Sequence, residues 1–152
     1  MNHQAANHYL RTKVFTSTPE QLQLMLYDGA IRFTEQGKNA LAKNDFEGVY
    51  NALSRAQKII TELQCGLKPD VAPELCSKLS ALYNFVFRKL VDANIQHDMR
   101  AIEEALQILH YQRETWVLLL DKLGKTKAGI AATKIDMPAP NEQMERQLRM
   151  TA

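Results

Sequence analysis

Apolar residues recur at helical spacing from Pro19 onward, in a pattern that covers more than one side of the predicted helix. Two adjacent stripes are present: Leu22, Leu26, Ala30 and Phe33 form the first, and Leu24, Tyr27 and Ile31 form the second. A helix at the surface of a globular domain needs only one apolar stripe to face the core. Two stripes therefore predict a helix that is buried on two sides, or one that keeps its second side for a partner.

The same periodicity predicts three more helices, separated by short connections. We place the four helices at residues 19–43, 46–66, 73–94 and 98–123. Thr18, with Gln21 three residues later, can cap the first helix, and Asp45 can cap the second. Pro73 opens the third helix, and Asp98 can cap the fourth. In the second helix, the main apolar stripe consists of Phe46, Val49, Tyr50, Leu53, Ile60 and Leu63.

Short loops make consecutive helices antiparallel neighbours, which fixes the expected architecture. We predict an all-α fold: an antiparallel up-down-up-down four-helix bundle with an N-terminal arm or short helix and a disordered C-terminal tail. The arm or lid would be residues 1–17, the bundle domain residues 18–123, and the tail residues 124–152. The tail lacks periodicity except near its end, where Met144 and Leu148 recur at helical spacing.

Two glycines, Gly29 and Gly37, lie eight residues apart in the first helix. Each costs about 1 kcal/mol relative to alanine in a helix interior. We therefore expect them where a neighbouring backbone approaches closely, rather than at a kink.

The third and fourth helices carry more apolar residues than a four-helix core requires. Between residues 75 and 91, and again between residues 102 and 123, the apolar positions are too many for one 100°-wide stripe. Part of this surface needs a cover, since large exposed apolar patches promote aggregation. The candidate covers are the N-terminal arm, a second copy of the chain or a client protein. The alternative is that no cover is needed, because the surplus consists of scattered exposed apolar groups of the kind found on any protein surface.

Composition and charge narrow the function classes. The chain has 152 residues, 45 % of them apolar, and a formal net charge of +2, which is too small to indicate a nucleic-acid surface. Up to Leu123 it has 14 basic and 14 acidic residues, so the tail carries the whole excess. No secretory signal or membrane-spanning run is present, and we expect a cytoplasmic protein in which Cys65 and Cys76 are free thiols.

The residue patterns of common catalytic and metal sites are missing from the sequence. The four histidines are scattered, no Glu-x-x-His pair occurs, and there is no glycine-rich phosphate loop. Asp28 beside Tyr27 is better explained by solvent or a neighbouring arginine than by catalysis. We therefore predict no enzyme activity, no catalytic residue, no metal and no cofactor.

Several ordered motifs resemble those of one protein family. They are Asn7-x-Tyr9, the run from Val14 to Ile31, residues 56–63, residues 82–94 and Arg113-x-Thr115-Trp116. Together they resemble the signature of the flagellin export chaperones, the FliS family, over about residues 7–120.

The resemblance implies a chaperone that holds the C-terminal segment of flagellin, prevents premature polymerisation and aids delivery to the type III export gate at the membrane. By the same resemblance, we expect no nucleic-acid partner and no insertion into the membrane, and a weak homodimer is compatible with it. The N-terminal arm would occupy part of the client's groove until displaced. The expected partner-binding residues are Tyr9, Leu10, Val14, Leu24, Tyr27, Ile31, Ile59, Leu63, Tyr83, Phe87, Leu106 and Trp116.

Two other interpretations stay open at this point. A structural homo-oligomer would cover its apolar faces with copies of itself, and light scattering with and without a flagellin peptide would detect it. A cofactor-carrying bundle would show a stoichiometric metal or a visible absorption band.

Overall fold

The computed structural model describes residues 3–133, with side chains described from Gln4 to Lys125, and this part of the chain forms five helices. They are α1 at His3–Thr16, α2 at Pro19–Ala42, α3 at Phe46–Cys65, α4 at Pro73–Gln96 and α5 at Met99–Thr133. The all-α fold is confirmed, and the N-terminal arm takes the form of a 14-residue helix.

Helix α5 is longer than the sequence pattern predicts. It passes through Gly124 and ends at Thr133, ten residues beyond the predicted end at Leu123. One interior glycine costs only about 1 kcal/mol, and the alanines and lysines that follow Gly124 are good helix formers. The first ten residues of the predicted tail therefore belong to α5. The remainder of the tail, residues 134–152, lies outside the described residues.

The predicted helix starts are confirmed by their hydrogen bonds. Thr18 and Gln21 form a reciprocal capping box: the backbone N–H of Thr18 donates to Gln21 Oε1 at 3.0 Å, and that of Gln21 donates to Thr18 Oγ1 at 3.2 Å. Asp45 Oδ1 accepts from the backbone N–H of Gly48 at 3.0 Å. Asp98 Oδ1 accepts from Arg100 and Ala101 in the first turn of α5. Each cap satisfies N–H groups that the helix itself leaves unpaired.

Contacts along the chain define two compact units. One, here the terminal unit, comprises residues 1–22 and 117–152, and the other, here the four-helix unit, comprises residues 23–116. The four-helix unit contains most of α2, all of α3 and α4, and the first half of α5. The three-part division drawn from the sequence stays a prediction.

In the four-helix unit, α2 and α3 pack closely at the two glycines. A β-carbon added at Gly37 would lie 2.6 Å from Leu53 Cδ2, and one added at Gly29 would lie 3.1 Å from Ile59 Cδ1. The close approach predicted for these glycines is present, but the neighbouring groups are α3 side chains rather than backbone. Because position 37 faces 53 and position 29 faces 59, the two helices run antiparallel.

Contacts between polar and charged side chains connect α2 with α5 in the same antiparallel sense. Asp28 pairs with Arg113, His110 Nε2 lies 3.5 Å from Glu35 Oε1, and Lys38 Nζ lies 3.7 Å from Glu103 Oε1. Of the two environments predicted for Asp28, solvent or a neighbouring arginine, the structure shows the arginine. Pairs this exposed contribute roughly 0–1 kcal/mol each, so they mark the alignment of the helices more than they stabilise it.

The core is apolar, and α3 contributes the largest share of it. Its fully buried side chains are Val49, Leu53, Ala56, Ile60 and Leu63, with Ala52 nearly so. Phe46 and Tyr50 belong to the predicted main stripe of this helix but not to the core, because they are 48 % and 63 % exposed. The small buried residues Ala52 and Ala56 let the neighbouring helices approach on their side of α3. At 3.6 residues per turn, Tyr50 points away from the side of α3 that Ala56 and Leu63 share.

Candidate partner-binding surface

Two buried tyrosines cross the four-helix unit from α2 to α4. The hydroxyl oxygens of Tyr27 and Tyr83 lie 2.6 Å apart, and Gln23 Nε2 lies 3.4 Å from each of them. Both rings are at most 2 % exposed. Burial, followed by the hydrogen bond to Tyr27, raises the pKa of Tyr83, because both disfavour the phenolate. Tyr83 therefore stays neutral, and both side chains belong to the core.

Removing one of these hydroxyls is expected to destabilise the fold more than removing both. Tyr27→Phe leaves the buried Tyr83 hydroxyl without its short partner, at a cost of about 1–3 kcal/mol, whereas the double Phe variant leaves no such group. Urea unfolding followed by circular dichroism measures this difference. Additive losses in the two single variants would contradict the coupling.

The raised pKa of Tyr83 also predicts a pH dependence of stability. Since this pKa is raised in the folded state only, the free energy of unfolding should fall as the pH rises above about 10, and it should fall less steeply in Tyr83→Phe.

One side of α4 forms a seam with α3. Gln64 Nε2 donates to Asn84 Oδ1 at 2.7 Å, and Ser80 Oγ donates to Gln64 Oε1 at 3.2 Å. From Ser80 and Asn84, steps of three or four residues lead to Phe87, Val91 and Ile95, so these apolar side chains continue the same side of α4. The seam is thus polar at one end and apolar at the other.

The apolar end of this seam is exposed. Phe46 stacks on His97 with ring centroids 4.1 Å apart, which places the start of α3 beside the end of α4. Tyr50 follows one turn after Phe46. On α4, Phe87 is 36 % exposed and Ile95 is 74 % exposed. We call Phe46, Tyr50, Phe87 and Ile95 the α3–α4 patch.

The opposite side of α4 carries a lysine that contacts both α5 and an aromatic ring. Lys89 Nζ lies 2.8 Å from Glu104 Oε2 on α5 and 5.3 Å from the ring centroid of Phe85. The hydrogen bond to Glu104 raises the pKa of Lys89, and the same bond lowers the pKa of Glu104. Phe85 is 41 % exposed but lies beneath a cation, unlike the aromatics of the α3–α4 patch.

The terminal unit carries exposed apolar side chains of its own. On α1, Tyr9, Leu10, Val14 and Phe15 are exposed, and a groove of about 590 Å³ lies against Leu10, Val14 and Phe15. On the second half of α5, the exposed apolar residues are Val117, Leu118, Leu119 and Leu123. The surplus of apolar surface predicted for the later helices is therefore present in both units.

The predicted partner-binding residues fall into three groups. Four are exposed: Tyr9, Leu10, Val14 and Phe87. Four are half-buried: Leu24, Ile31, Ile59 and Trp116. The last four, Tyr27, Leu63, Tyr83 and Leu106, lie in the core. A partner can reach these four only if the helices separate. For all twelve residues, the partner role stays a prediction.

Sequence reasoning missed three members of the patch, Phe46, Tyr50 and Ile95. The first two fit the main stripe of α3, and this pattern does not distinguish them from its buried members. The available signal was their place beside helix ends: α3 begins at Phe46 and α4 ends at Gln96. Apolar residues in terminal turns have fewer neighbours to cover them.

Three further findings limit the chemistry of the described residues. None of the helices is both long enough and apolar enough over these residues to cross a bilayer, including the 35-residue α5. Within the same range, no three His, Cys, Asp or Glu side chains converge as a metal site would require. Cys65 and Cys76 are free thiols, as expected.

Comparison with known proteins connects this chain to a family. The family described as flagellar protein FliS matches residues 1–122. The flagellar secretion chaperone FliS of Bacillus subtilis is 32 % identical over 80 % of this chain and 90 % of its own length. The protein of the same name from Salmonella typhimurium is 34 % identical over 70 % of this chain and 80 % of its own.

A solved structure has the same fold. It is described as the crystal structure of a flagellar chaperone from bacteria, and it superimposes with a TM-score of 0.65 at 20 % identity, covering 80 % of this chain and 99 % of that one. The family match, the ordered motifs and the fold agree. The chain therefore belongs to the FliS family of flagellar secretion chaperones, which are chaperones of flagellar export and not enzymes.

Proposed function

We propose that this chain acts in the cytoplasm, binds the C-terminal segment of flagellin, prevents its premature polymerisation and delivers it to the export gate at the membrane. The observation that supports this most is the α3–α4 patch, whose four large side chains stay exposed after the bundle has closed. The half-buried Val91 lies between Phe87 and Ile95 on the same side of α4. A row of this kind suits an amphipathic helix of a client.

The size of the apolar surface fits a client that orders on binding. A segment without stable structure of its own loses conformational entropy when captured, and burying apolar surface has to offset that loss. From Phe87 to Ile95 the patch extends over eight residues of α4, or about 12 Å at 1.5 Å per residue. This is two turns of a bound helix. The exposed side chains of α1 add a second surface for a longer client.

Co-purification tests the proposal directly. The chain, tagged at its N-terminus, is expressed with full-length flagellin and, in parallel, with flagellin that lacks its C-terminal segment. We expect a stoichiometric complex with the first and none with the second. Equal recovery of both would reject the assigned segment. A stable multimer that ignores a flagellin C-terminal peptide, measured by light scattering, would favour a homo-oligomer that covers the patch with a second copy.

The N-terminal arm is proposed to act as a lid that competes with the client. Deleting Met1 to Phe15 removes four exposed apolar side chains of α1 together with the groove beside them. If the arm shields the client surface, its removal should lower solubility and change client affinity, since a docked lid reduces apparent affinity by the fraction of time it is bound. Isothermal titration with a flagellin C-terminal peptide measures the second effect. Unchanged solubility and affinity would reject the lid.

A further inference from the structure

Two arginines from different helices of the four-helix unit converge on one aromatic ring. The guanidinium carbon of Arg32 on α2 lies 5.1 Å from the ring centroid of Phe33, and that of Arg55 on α3 lies 5.6 Å from it. Phe33 is half-buried and packs against the core, which holds its ring in place. The two cations are therefore no more than about 11 Å apart, beside a ring that attracts both of them.

The carboxylates within reach of Arg32 along α2 are engaged by α5. Helical residues three or four positions apart can form ion pairs, and the acidic residues at those distances from Arg32 are Asp28 and Glu35. Asp28 pairs with Arg113, and Glu35 Oε1 lies 3.5 Å from His110 Nε2. Both carboxylates thus have a partner on α5 rather than Arg32.

Arg55 has no carboxylate within reach along α3. The residues three or four positions away are uncharged except for Lys58, which adds a third cation one turn further along the helix. Among the residues whose side chains are described, neither Arg32 nor Arg55 forms an ion pair. Their guanidinium N–H groups can therefore accept a carboxylate that a partner supplies.

This pair of arginines lies apart from the α3–α4 patch. Arg55 follows Tyr50 by five residues, which at 3.6 residues per turn places it about 140° around α3. Ile59, one turn after Arg55, is the side chain that packs at Gly29 of α2. A partner bound at Phe33 therefore leaves Tyr50 accessible.

We propose that Arg32, Phe33 and Arg55 form a docking site for an acidic segment of a partner protein. Two carboxylates of this segment pair with the two guanidinium groups, and an apolar side chain between them covers the exposed part of the ring. Each guanidinium presents a planar fork of N–H donors that matches a carboxylate. Because the ring restricts both side chains before binding, less conformational entropy is lost than for isolated surface arginines. The site does not depend on which client the protein carries.

The charge of the chain favours a protein partner over a nucleic acid. Basic and acidic residues are equal in number up to Leu123, and the cations near Phe33 number only three with Lys58. Proteins that bind nucleic acids tightly often neutralise about six to ten phosphates. Two fixed guanidinium groups on an aromatic ring suit a pair of carboxylates better.

Fluorescence anisotropy with the full-length chain tests the site. The probe is a labelled amphipathic helical peptide with glutamates one turn apart beside leucines, and the reference peptide has glutamine in place of each glutamate. At low salt we expect the glutamate peptide to bind about tenfold more tightly, because only its side chains form charge-assisted pairs. Arg32→Gln and Arg55→Gln should each weaken its binding about tenfold.

Two further variants make the test specific. Arg88→Gln removes the same charge from an exposed arginine of α4, which also forms no ion pair among the described side chains, and should change the affinity by less than about twofold. Phe33→Leu keeps both charges but removes the ring that holds them, so it should weaken binding about threefold. Circular dichroism of each variant verifies that the helices are intact.

The outcomes separate the proposal from its competitors. Equal affinity for the two peptides, or equal effects of Arg32→Gln, Arg55→Gln and Arg88→Gln, would overturn the site. An unchanged affinity of Phe33→Leu would overturn the part assigned to the ring. A DNA duplex that binds more tightly than the glutamate peptide, and loses affinity in the same two arginine variants, would assign the arginines to phosphate and overturn the acidic protein partner.

Discussion

Leu53→Ala is expected to lower the free energy of unfolding by about 2–5 kcal/mol. Leu53 is fully buried, and its side chain fills the space that Gly37 leaves open on α2. No side chain at position 37 is available to occupy the resulting cavity, so the loss should lie in the upper part of this range. Urea unfolding monitored by far-ultraviolet circular dichroism measures the change through the transition midpoint.

A second variant, Gly37→Ala, tests whether positions 37 and 53 share one space in the core. A methyl group at position 37 would lie 2.6 Å from Leu53 Cδ2, too close for both groups to keep their places. Overpacking of this kind costs about 1–3 kcal/mol, against about 1 kcal/mol gained in helix propensity. In the double variant the new methyl group occupies part of the Leu53 cavity, so the combined loss should fall short of the sum by about 1–2 kcal/mol.

Gly124→Ala is the matched control for the glycine exchange. A β-carbon at Gly124 meets no atom within 4 Å, so the same substitution in α5 should stabilise the helix by up to about 1 kcal/mol. Strict additivity of Leu53→Ala and Gly37→Ala would show that the two positions do not share one space.

The second large effect is expected on client binding. Combining Tyr50→Gln, Phe87→Gln and Ile95→Gln removes most of the α3–α4 patch without touching a fully buried side chain. Apolar contacts at the centre of an interface are often worth about 1–2 kcal/mol each, so the triple variant should bind a flagellin C-terminal peptide about 100-fold more weakly or worse. Isothermal titration measures the affinity, and the unfolding midpoint should change little.

Phe85→Gln controls for the loss of exposed aromatic surface. Phe85 is on the same helix as Phe87 and has similar exposure, but it lies beneath Lys89 on the other side. Its replacement should leave the affinity within about twofold of the unmodified protein. A triple variant that binds as tightly as the unmodified chain would remove the α3–α4 patch from the client surface, even if flagellin still co-purifies.

The sequence predicted helices and their starts well because these depend on local rules. The capping box at Thr18 and the caps at Asp45 and Asp98 need only neighbouring residues, and all three are present. Prediction failed at the end of α5, where Gly124 is a weak stop signal among good helix formers. It also failed to separate core from surface at Tyr27 and Tyr50, since both occupy apolar stripes of equal quality.

The amino-acid pattern by itself determined the helical class, the order of the helices, the excess of apolar side chains and the family resemblance. These features depend on periodicity and motifs, which involve only residues close together in the sequence. Only the tertiary structure decided which apolar side chains remain outside. Tyr83 is buried because Tyr27 meets it across the unit, whereas Phe46 and Ile95 stay exposed where α3 begins and α4 ends. Burial depends on which residues from distant parts of the chain pack against a side chain, and the spacing of apolar residues along the sequence does not specify those contacts.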